Sequence, residues 1–270
     1  MLRRCFLARI VPTLPLWALA TLTPSLAAAG RLELRPEIRR RIGRRIWENE
    51  CGGTVSGLTS WNQGEDFPSL GIGHFIWYPQ GTPRTFEESF PGLLRHFEKC
   101  GVRLPSWLRG DPPCPWPDRQ AFQRELDGPR LRELRTLLSK TVDAQTDYIV
   151  LRLEAALPRI LAAAPRGEKK NLETRFYAVA GSPNGLYALI DYVNFKGEGV
   201  NPRERYRGQG WGLLQVLQGM RGQPSGQAAV VEFSDAAKRA LERRIRNAPR
   251  DESRWRQGWF NRCETYKRSL

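Results

Sequence analysis

The chain has few histidines and no closely paired cysteines, and this scarcity argues against the common zinc sites. Its 270 residues include only two histidines, His74 and His96, and none of its five cysteines belongs to a C-x-x-C pair. Structural zinc sites draw their ligands from closely spaced cysteines and histidines, so we expect no metal and no other cofactor. Beyond residue 29 no apolar run reaches the roughly 20 residues that a transmembrane helix needs, so we expect no stable membrane span there.

Acidic residues are absent from the first 32 positions, and the first 29 have the pattern of a signal peptide. Three arginines precede an apolar stretch from Ile10 to Leu26, which ends in three alanines at positions 27–29. This pattern is typical of cleaved secretory signals, whereas prolines interrupt the long apolar run that an uncleaved anchor requires. Cys5 lies inside this leader. We expect a mature domain of residues 30–270 that is periplasmic or secreted.

Basic side chains outnumber acidic ones, 43 against 28, which gives a formal net charge of +15. Basic exported proteins are drawn to anionic surfaces, and peptidoglycan, envelope polymers and phospholipid headgroups are all candidates. A solvated basic surface without a dedicated partner is the alternative. Nucleic acid is the usual partner of such charge, but export argues against it, and we expect none.

Hydrophobic spacing predicts an α+β chain that is mainly helical. Isoleucines at positions 38, 42 and 46 predict a helix that ends at Gly52. Residues 57–79 mix short β-type runs with turn residues and predict a small twisted β-hairpin. A capping-box pattern of Thr85 and Glu88 then predicts a helix from Phe86 to Cys100.

Later segments follow the helical period almost throughout. A Pro-rich loop covers residues 105–117, and helical patterns continue from about residue 118 to the end. We therefore expect a small lobe at about residues 45–100 and a larger helical lobe at about 118–270. Active sites favour clefts between such lobes.

Glu50 is a candidate for acid catalysis, because it ends the first predicted helix just before the β region. Partial burial in a cleft raises the pKa of a carboxyl group and keeps a proton available. A solvated glutamate at a helix end is the alternative, and Glu48 is the competing candidate.

The segment from Glu50 to His74 resembles the phage-type lysozymes, or endolysin muramidases. In that family a helix-end glutamate precedes an apolar-aromatic strand, an acidic turn and a strand with the pattern T-I-G-x-G-H. Here Gly57-Leu58, Trp61 and the sequence SLGIGH at residues 69–74 stand at matching places. ALIDYVNFKGEG (residues 188–199) and GWFNRCETY (258–266) resemble the family's central helix and C-terminal segment. The three blocks occur in the family's order, whereas the intervening segments do not match clearly.

The resemblance implies a lysozyme-like fold and assigns roles residue by residue. Glu50 would protonate the glycosidic oxygen, and Ser69 would help to position water. Arg262 would reach back to that glutamate and lower its pKa, so burial would have to oppose this effect. Histidine in the strand-end motif is more often structural than catalytic. The candidates for substrate binding are Trp61, Trp77 and Tyr78, together with His74.

The second carboxylate of the family corresponds here to Gln63, which cannot act as a base. Glu65 and Asp66 follow it and are the candidates to replace it, although an exposed acidic turn explains them equally well. Two carboxylates about 6.5–9.5 Å apart would suit an inverting hydrolase. If neither reaches the cleft, we expect a lytic transglycosylase, in which a hydroxyl of the sugar itself attacks.

Four cysteines follow the leader, and an even number in an oxidising compartment indicates two disulfides with three connectivities. The resemblance implies one of them. The glutamate before Cys51 is expected to contact the arginine before Cys263, so we expect these two cysteines to pair. Cys100 would then pair with Cys114.

The leading hypothesis for function is an exported glycosidase that cleaves the N-acetylmuramic–N-acetylglucosamine backbone of peptidoglycan. A lytic transglycosylase on the same fold is one alternative. An enzyme that cleaves chitin or chitosan is another, although a basic cleft suits cationic chitosan poorly. A non-catalytic glycan-binding or inhibitor-like protein on a lysozyme scaffold is the last, because a fold does not determine a function.

Overall fold

A computed structural model describes residues 35–270. The predicted signal peptide of residues 1–29, including Cys5, lies outside the described residues. Within them no helix is both long and apolar enough to cross a bilayer.

The described part consists of ten α-helices and one small antiparallel sheet. The helices are α1 Pro36–Cys51, α2 Phe90–Lys99, α3 Arg119–Arg124, α4 Pro129–Lys140, α5 Val142–Ala163, α6 Lys169–Ala180, α7 Pro183–Lys196, α8 Leu213–Gly219, α9 Gly226–Asn247 and α10 Arg256–Thr265. The strands are β1 Thr59–Ser60, β2 Ser69–Leu70 and β3 Phe75–Ile76, in the order β1-β2-β3. The prediction of a mainly helical α+β fold is confirmed at this level.

Helix α1 forms as the sequence predicts, and it places Glu50 in its last turn. Ile42 and Ile46 are fully buried on one face. Gly52 ends the helix with a left-handed φ of 59° and donates its N–H to the Trp47 carbonyl. Glycine adopts this conformation without the steric cost that a Cβ would add.

The predicted β-type run at residues 70–78 is interrupted in the structure, because a turn at residues 71–74 separates β2 from β3. Ser69 pairs with Ile76 and Leu70 with Phe75 across this turn. Gly71 has a φ of 71°. The Ile72 N–H donates to the buried side chain of Gln145 at 2.9 Å, which fixes the turn to α5.

Helix α2 begins at Phe90, four residues after the predicted start. The Glu88 carboxylate accepts the Tyr78 N–H at 2.8 Å instead of capping a helix. The Thr85 N–H donates to the Tyr78 hydroxyl at 3.2 Å. The predicted capping box is therefore wrong, since the chain after β3 uses these polar groups.

Helix α7 lies at the centre of the helical part and contacts α1, α5, α6 and α9. Its residues from Gly185 to Val193 are all buried. The Ser182 hydroxyl caps its start by accepting the Gly185 N–H at 3.1 Å. Because α7 packs against α1, the buried helix brings its C-terminal residues close to Glu50.

Candidate active site around Glu50

Residues from four segments meet at the Glu50 carboxylate. Arg262 of α10 donates from Nη2 to Oε1 at 2.5 Å, and Asn194 of α7 donates to the same oxygen at 3.2 Å. His74 Nδ1, from the turn after β2, lies 3.3 Å from Oε2. The Glu50 side chain is 11% exposed. The contact that the sequence predicted between Arg262 and Glu50 is present, across 212 positions of sequence.

Asp191 holds Arg262 in place from the opposite side. Arg262 Nε and Nη2 each donate to one Asp191 oxygen at 2.8 Å. The Asp191 side chain is fully buried and also accepts hydrogen bonds from Tyr266 at 2.7 Å and Asn49 at 3.3 Å. A buried carboxylate with this many donors fixes the guanidinium in one orientation.

Two opposing effects set the electrostatics of Glu50. Burial raises the pKa of its carboxyl group, but the charges of Arg262 and His74 and the hydrogen bonds from Arg262 and Asn194 lower it. The lowering contributions win, so the pKa of Glu50 lies below its usual value. The predicted pairing with Arg262 thus outweighs the rise in pKa expected from burial, and Glu50 is ionised at neutral pH in the free protein.

Glu65 is a second carboxylate that the charge of His74 influences. Burial raises the pKa of the Glu65 carboxyl, partly opposed by Asn62 and by the charge of His74. Asn62 donates to its Oε2 at 3.1 Å. Asp66, the other candidate, is exposed in the turn, as is Gln63. Of the two predicted candidates, the structure brings Glu65 close to His74.

His74 adopts an unusual backbone conformation, with a φ of 47°. Non-glycine residues rarely occupy this region, and such strain persists where the surroundings impose it, often at functional sites. Gly73 beside it leaves no room for a side chain, because a Cβ there would lie 2.8 Å from the Phe75 ring and 3.1 Å from Asn194 Oδ1. The turn thus brings His74 against Glu50 at the cost of strain.

The predicted sugar-stacking aromatics lie in the hydrophobic core. Trp61, Trp77 and Tyr78 are each at most 4% exposed. Trp61 donates its indole N–H to the Glu65 carbonyl at 2.8 Å, which supports the acidic turn. Ser69 is buried in β2 and forms no hydrogen bond with Glu50 among the described residues. The burial of these rings argues against their prediction as stacking surfaces.

A separate cavity of about 890 Å³ lies beside the segment after β3. Trp77 and Tyr78 contribute to its wall, together with the ion pair of Arg95 and Asp111. None of the residues that contact Glu50 lines this cavity. This cavity is therefore distinct from the Glu50 site.

The predicted disulfides, Cys51–Cys263 and Cys100–Cys114, are not present, since all four described cysteines are free. The thiol of Cys51 is directed to the Gly71 carbonyl at 3.5 Å, in the turn after β2, rather than to α10. Two other thiols also have local contacts: Cys114 with the Trp116 carbonyl and Cys100 with His96 Nε2.

Sequence reasoning missed Asp191, Asn194, Asn49 and Tyr266. A signal for two of them exists, because Asp191 and Asn194 are polar residues within the otherwise apolar helix α7. Buried polar groups need partners, so such residues mark contacts to other elements. Within residues 35–270 no cluster of three or more histidine, cysteine or acidic side chains could hold a metal ion.

Comparisons of the chain with protein-family models, with curated proteins and with solved structures give no match. The relation to phage-type lysozymes therefore stays a prediction. The motifs and the contacts of Glu50 are what support it.

Proposed function

We propose that the chain is an exported glycosidase that cleaves the glycan backbone of peptidoglycan, with Glu50 as the general acid. The observation that carries this proposal is the Glu50 carboxylate itself. It is nearly buried at a helix end beside a small sheet, and Arg262, Asn194 and His74 hold it in place. Such convergence of titratable and hydrogen-bonding groups is characteristic of catalytic sites.

In the proposed reaction the Glu50 carboxyl donates its proton to the glycosidic oxygen as the bond from that oxygen to the anomeric carbon breaks. A water molecule attacks the anomeric carbon and gives its proton to the Glu65 carboxylate. One proton leaves Glu50 and one reaches Glu65, so the step balances. His74, which interacts with both carboxylates, orients Glu50.

The lowered pKa of Glu50 sets the conditions under which this acid works. A general acid must be protonated before the reaction, whereas Arg262 and His74 favour the ionised form. The fraction of protonated Glu50 falls as the pH rises through its pKa, whereas the fraction of ionised Glu65 falls as the pH drops through a pKa that burial raises. Cleavage therefore depends on the minor form with Glu50 protonated and Glu65 ionised, and we expect a bell-shaped pH profile with its maximum between the two pKa values.

Digestion of purified peptidoglycan, followed by mass analysis of the fragments, tests this function. Fragments with reducing ends support hydrolysis, and fragments with anhydro ends support a lytic transglycosylase instead. Glu50→Gln is the inactive control, and Glu48→Gln, on the exposed side of the same helix turn, is its matched variant. The absence of fragments at every pH between 4 and 8 would remove the enzymatic proposal.

A non-catalytic glycan-binding protein is the second candidate, and the ion pair at Glu50 is the observation that favours it. A carboxylate kept ionised by a buried guanidinium is a hydrogen-bond acceptor for sugar hydroxyls rather than an acid. Cosedimentation of the protein with insoluble peptidoglycan, without release of fragments, would support this candidate.

A further inference from the structure

Lys196, the last residue of α7, lies against two aromatic rings near the Glu50 site. Its ammonium nitrogen is 4.0 Å from the centre of the Phe195 ring and 3.7 Å from that of Trp259. Arg262, which binds Glu50, also lies over the Phe195 ring, at 4.0 Å. A single aromatic ring thus links Lys196 to the arginine that holds Glu50.

The other cations in this group have anionic partners, whereas Lys196 has none. Arg262 is paired with Glu50 and Asp191, and Arg244 is paired with Glu252 at 2.8 Å. No carboxylate of residues 35–270 forms an ion pair with Lys196. Among the described residues its ammonium group contacts the two aromatic faces. A cation–π contact stabilises a charge less than an ion pair with a carboxylate does.

The surroundings make Lys196 a cation that an incoming anion would stabilise. Burial lowers the pKa of its ammonium group well below the usual value, and the charges of Arg244 and Arg262 lower it further. Glu252 and Glu50 oppose this without pairing directly. Trp259 and Lys196 both keep part of their surface in solvent, and a ligand would approach the buried ammonium group from that side.

We propose that Lys196, with the rings of Phe195 and Trp259, forms a subsite for a carboxylate of the glycan, an inference that rests on the proposed glycosidase function. The ammonium group would pair with the carboxylate, and the exposed part of the Trp259 ring would pack against the neighbouring apolar face of the ligand. Peptidoglycan carries such carboxylates on its stem peptides and, where the stem peptide is absent, on the lactyl group of muramic acid. Chitin carries none, so the subsite would favour peptidoglycan over chitin.

A purely structural role for Lys196 gives a different expectation. A cation in the last turn of a helix interacts favourably with the helix dipole, and its aliphatic stem covers apolar surface. Removal of the charge would then lower stability, but it would change the binding of charged and neutral glycans equally.

Binding measurements on the full chain separate the two roles. All proteins carry Glu50→Gln so that the glycan is not cleaved during titration. The probes are a peptide-free N-acetylglucosamine–N-acetylmuramic acid tetrasaccharide, the same glycan with stem peptides, the peptide-bearing glycan with amidated carboxylates, and chitotetraose.

The variants of the protein are Lys196→Gln, Lys196→Met, which keeps the apolar stem, and Lys196→Arg. Lys140→Gln is the matched control, because Lys140 is the exposed last residue of α4.

We expect Lys196→Gln and Lys196→Met to weaken binding of a carboxylate-bearing glycan about tenfold or more, the usual value of a charge-assisted contact. Chitotetraose affinity should stay the same, Lys196→Arg should retain the preference, and Lys140→Gln should have no effect. Loss confined to the peptide-free glycan identifies the lactyl carboxylate. Loss confined to the peptide-bearing glycan, and absent after amidation, identifies the stem peptide.

Equal effects on acidic glycans and on chitotetraose would overturn the subsite while the glycosidase proposal stands, provided that the wild-type chain cleaves peptidoglycan. Unchanged binding of every probe by Lys196→Gln and Lys196→Met would overturn it in the same way. Failure of all glycans to bind, with no cleavage by wild type, would overturn the proposed function and the subsite together.

Discussion

Glu50 and Glu48 occupy neighbouring positions on α1, but their carboxyl groups meet different surroundings. The Glu48 side chain is 46% exposed and pairs with Arg45 at 3.1 Å on the surface. Two donors and the His74 ring surround Glu50, whose side chain is only 11% exposed. Chemistry that depends on a fixed carboxyl group therefore belongs to Glu50.

We predict that Glu50→Gln lowers the rate of glycan cleavage by about 10²–10⁴-fold, because the amide cannot donate the required proton. The fold should be retained, since Arg262 still pairs with Asp191. Release of soluble fragments from peptidoglycan measures the rate, and circular dichroism checks the fold. Full activity of Glu50→Gln combined with an inactive Glu48→Gln would transfer the role to Glu48.

Glu65 and Asp66 give a second comparison of adjacent carboxylates. Glu65 is half-buried near His74, whereas Asp66 is exposed. We predict that Glu65→Gln loses most activity as the base is removed, while Asp66→Asn retains it. Steady-state rates of the two variants measure this. Full activity in both would exclude a two-carboxylate mechanism and leave transglycosylation or binding.

Arg262 controls the pH at which Glu50 releases its proton. Its charge and hydrogen bond lower the pKa of Glu50, whereas burial raises it. We predict that Arg262→Gln shifts the pH optimum of kcat/KM upward, because Glu50 then stays protonated to higher pH. Arg45→Gln, which removes a surface partner of Glu48, should leave the optimum unchanged. An optimum that does not move, or that moves to lower pH, would contradict Glu50 as the acid.

Sequence motifs located Glu50 and Arg262 but not the residues that orient them. The pattern around each residue is local, and the expected contact between them came from the resemblance. Asp191 lies in a run that reads as apolar helix, and its need for partners becomes visible only when α10 packs against α7. The pKa of Glu50 could not be predicted because it is a balance of burial against nearby charges.

At the scale of elements, local signals predicted a structure correctly where no tertiary contact competed with them. The isoleucine spacing predicted α1, and Gly52 marked its end, which follows Cys51 in the structure. The capping box at Thr85 failed because Tyr78, which follows β3, bonds both of its residues. The Tyr78 N–H donates to the Glu88 carboxylate, and the Tyr78 hydroxyl accepts the Thr85 N–H. Capping patterns express a preference that tertiary hydrogen bonds can override.

Among the ion pairs that join α10 to its neighbours, one that is buried and one that lies at the surface can be compared directly. Asp191 of α7 pairs with Arg262 in the interior, and Glu242 of α9 pairs with Arg256 at 2.7 Å on the surface. We predict that Asp191→Asn destabilises the fold by about 3–5 kcal/mol, because it removes one partner of a buried pair. Glu242→Gln should cost less than about 1 kcal/mol. Urea unfolding gives the free energy of unfolding of both variants. Equal losses would show that the buried pair of Asp191 stabilises the fold no more than the surface pair does.

At the scale of the whole molecule, one hydrophobic core extends from Ile42 in α1 to Tyr266 just after α10. Cys51 and Cys263 lie in this core, next to the contact that joins the two ends of the described chain. The sequence predicted this proximity through the expected disulfide. It could not predict thiol orientation, which depends on how the ends of α1 and α10 pack.

The thiols give a prediction that tests the packing of the whole molecule. Burial raises the pKa of Cys51, Cys114 and Cys263 to about 12, so few thiolates form there at neutral pH. Cys100 is exposed. We predict that iodoacetamide labels Cys100 alone in the native protein and all four cysteines after denaturation without reductant, as peptide mass mapping would show. Denatured protein that is labelled only after reduction would instead establish the two predicted disulfides, and the ends of α1 and α10 would then have to pack differently.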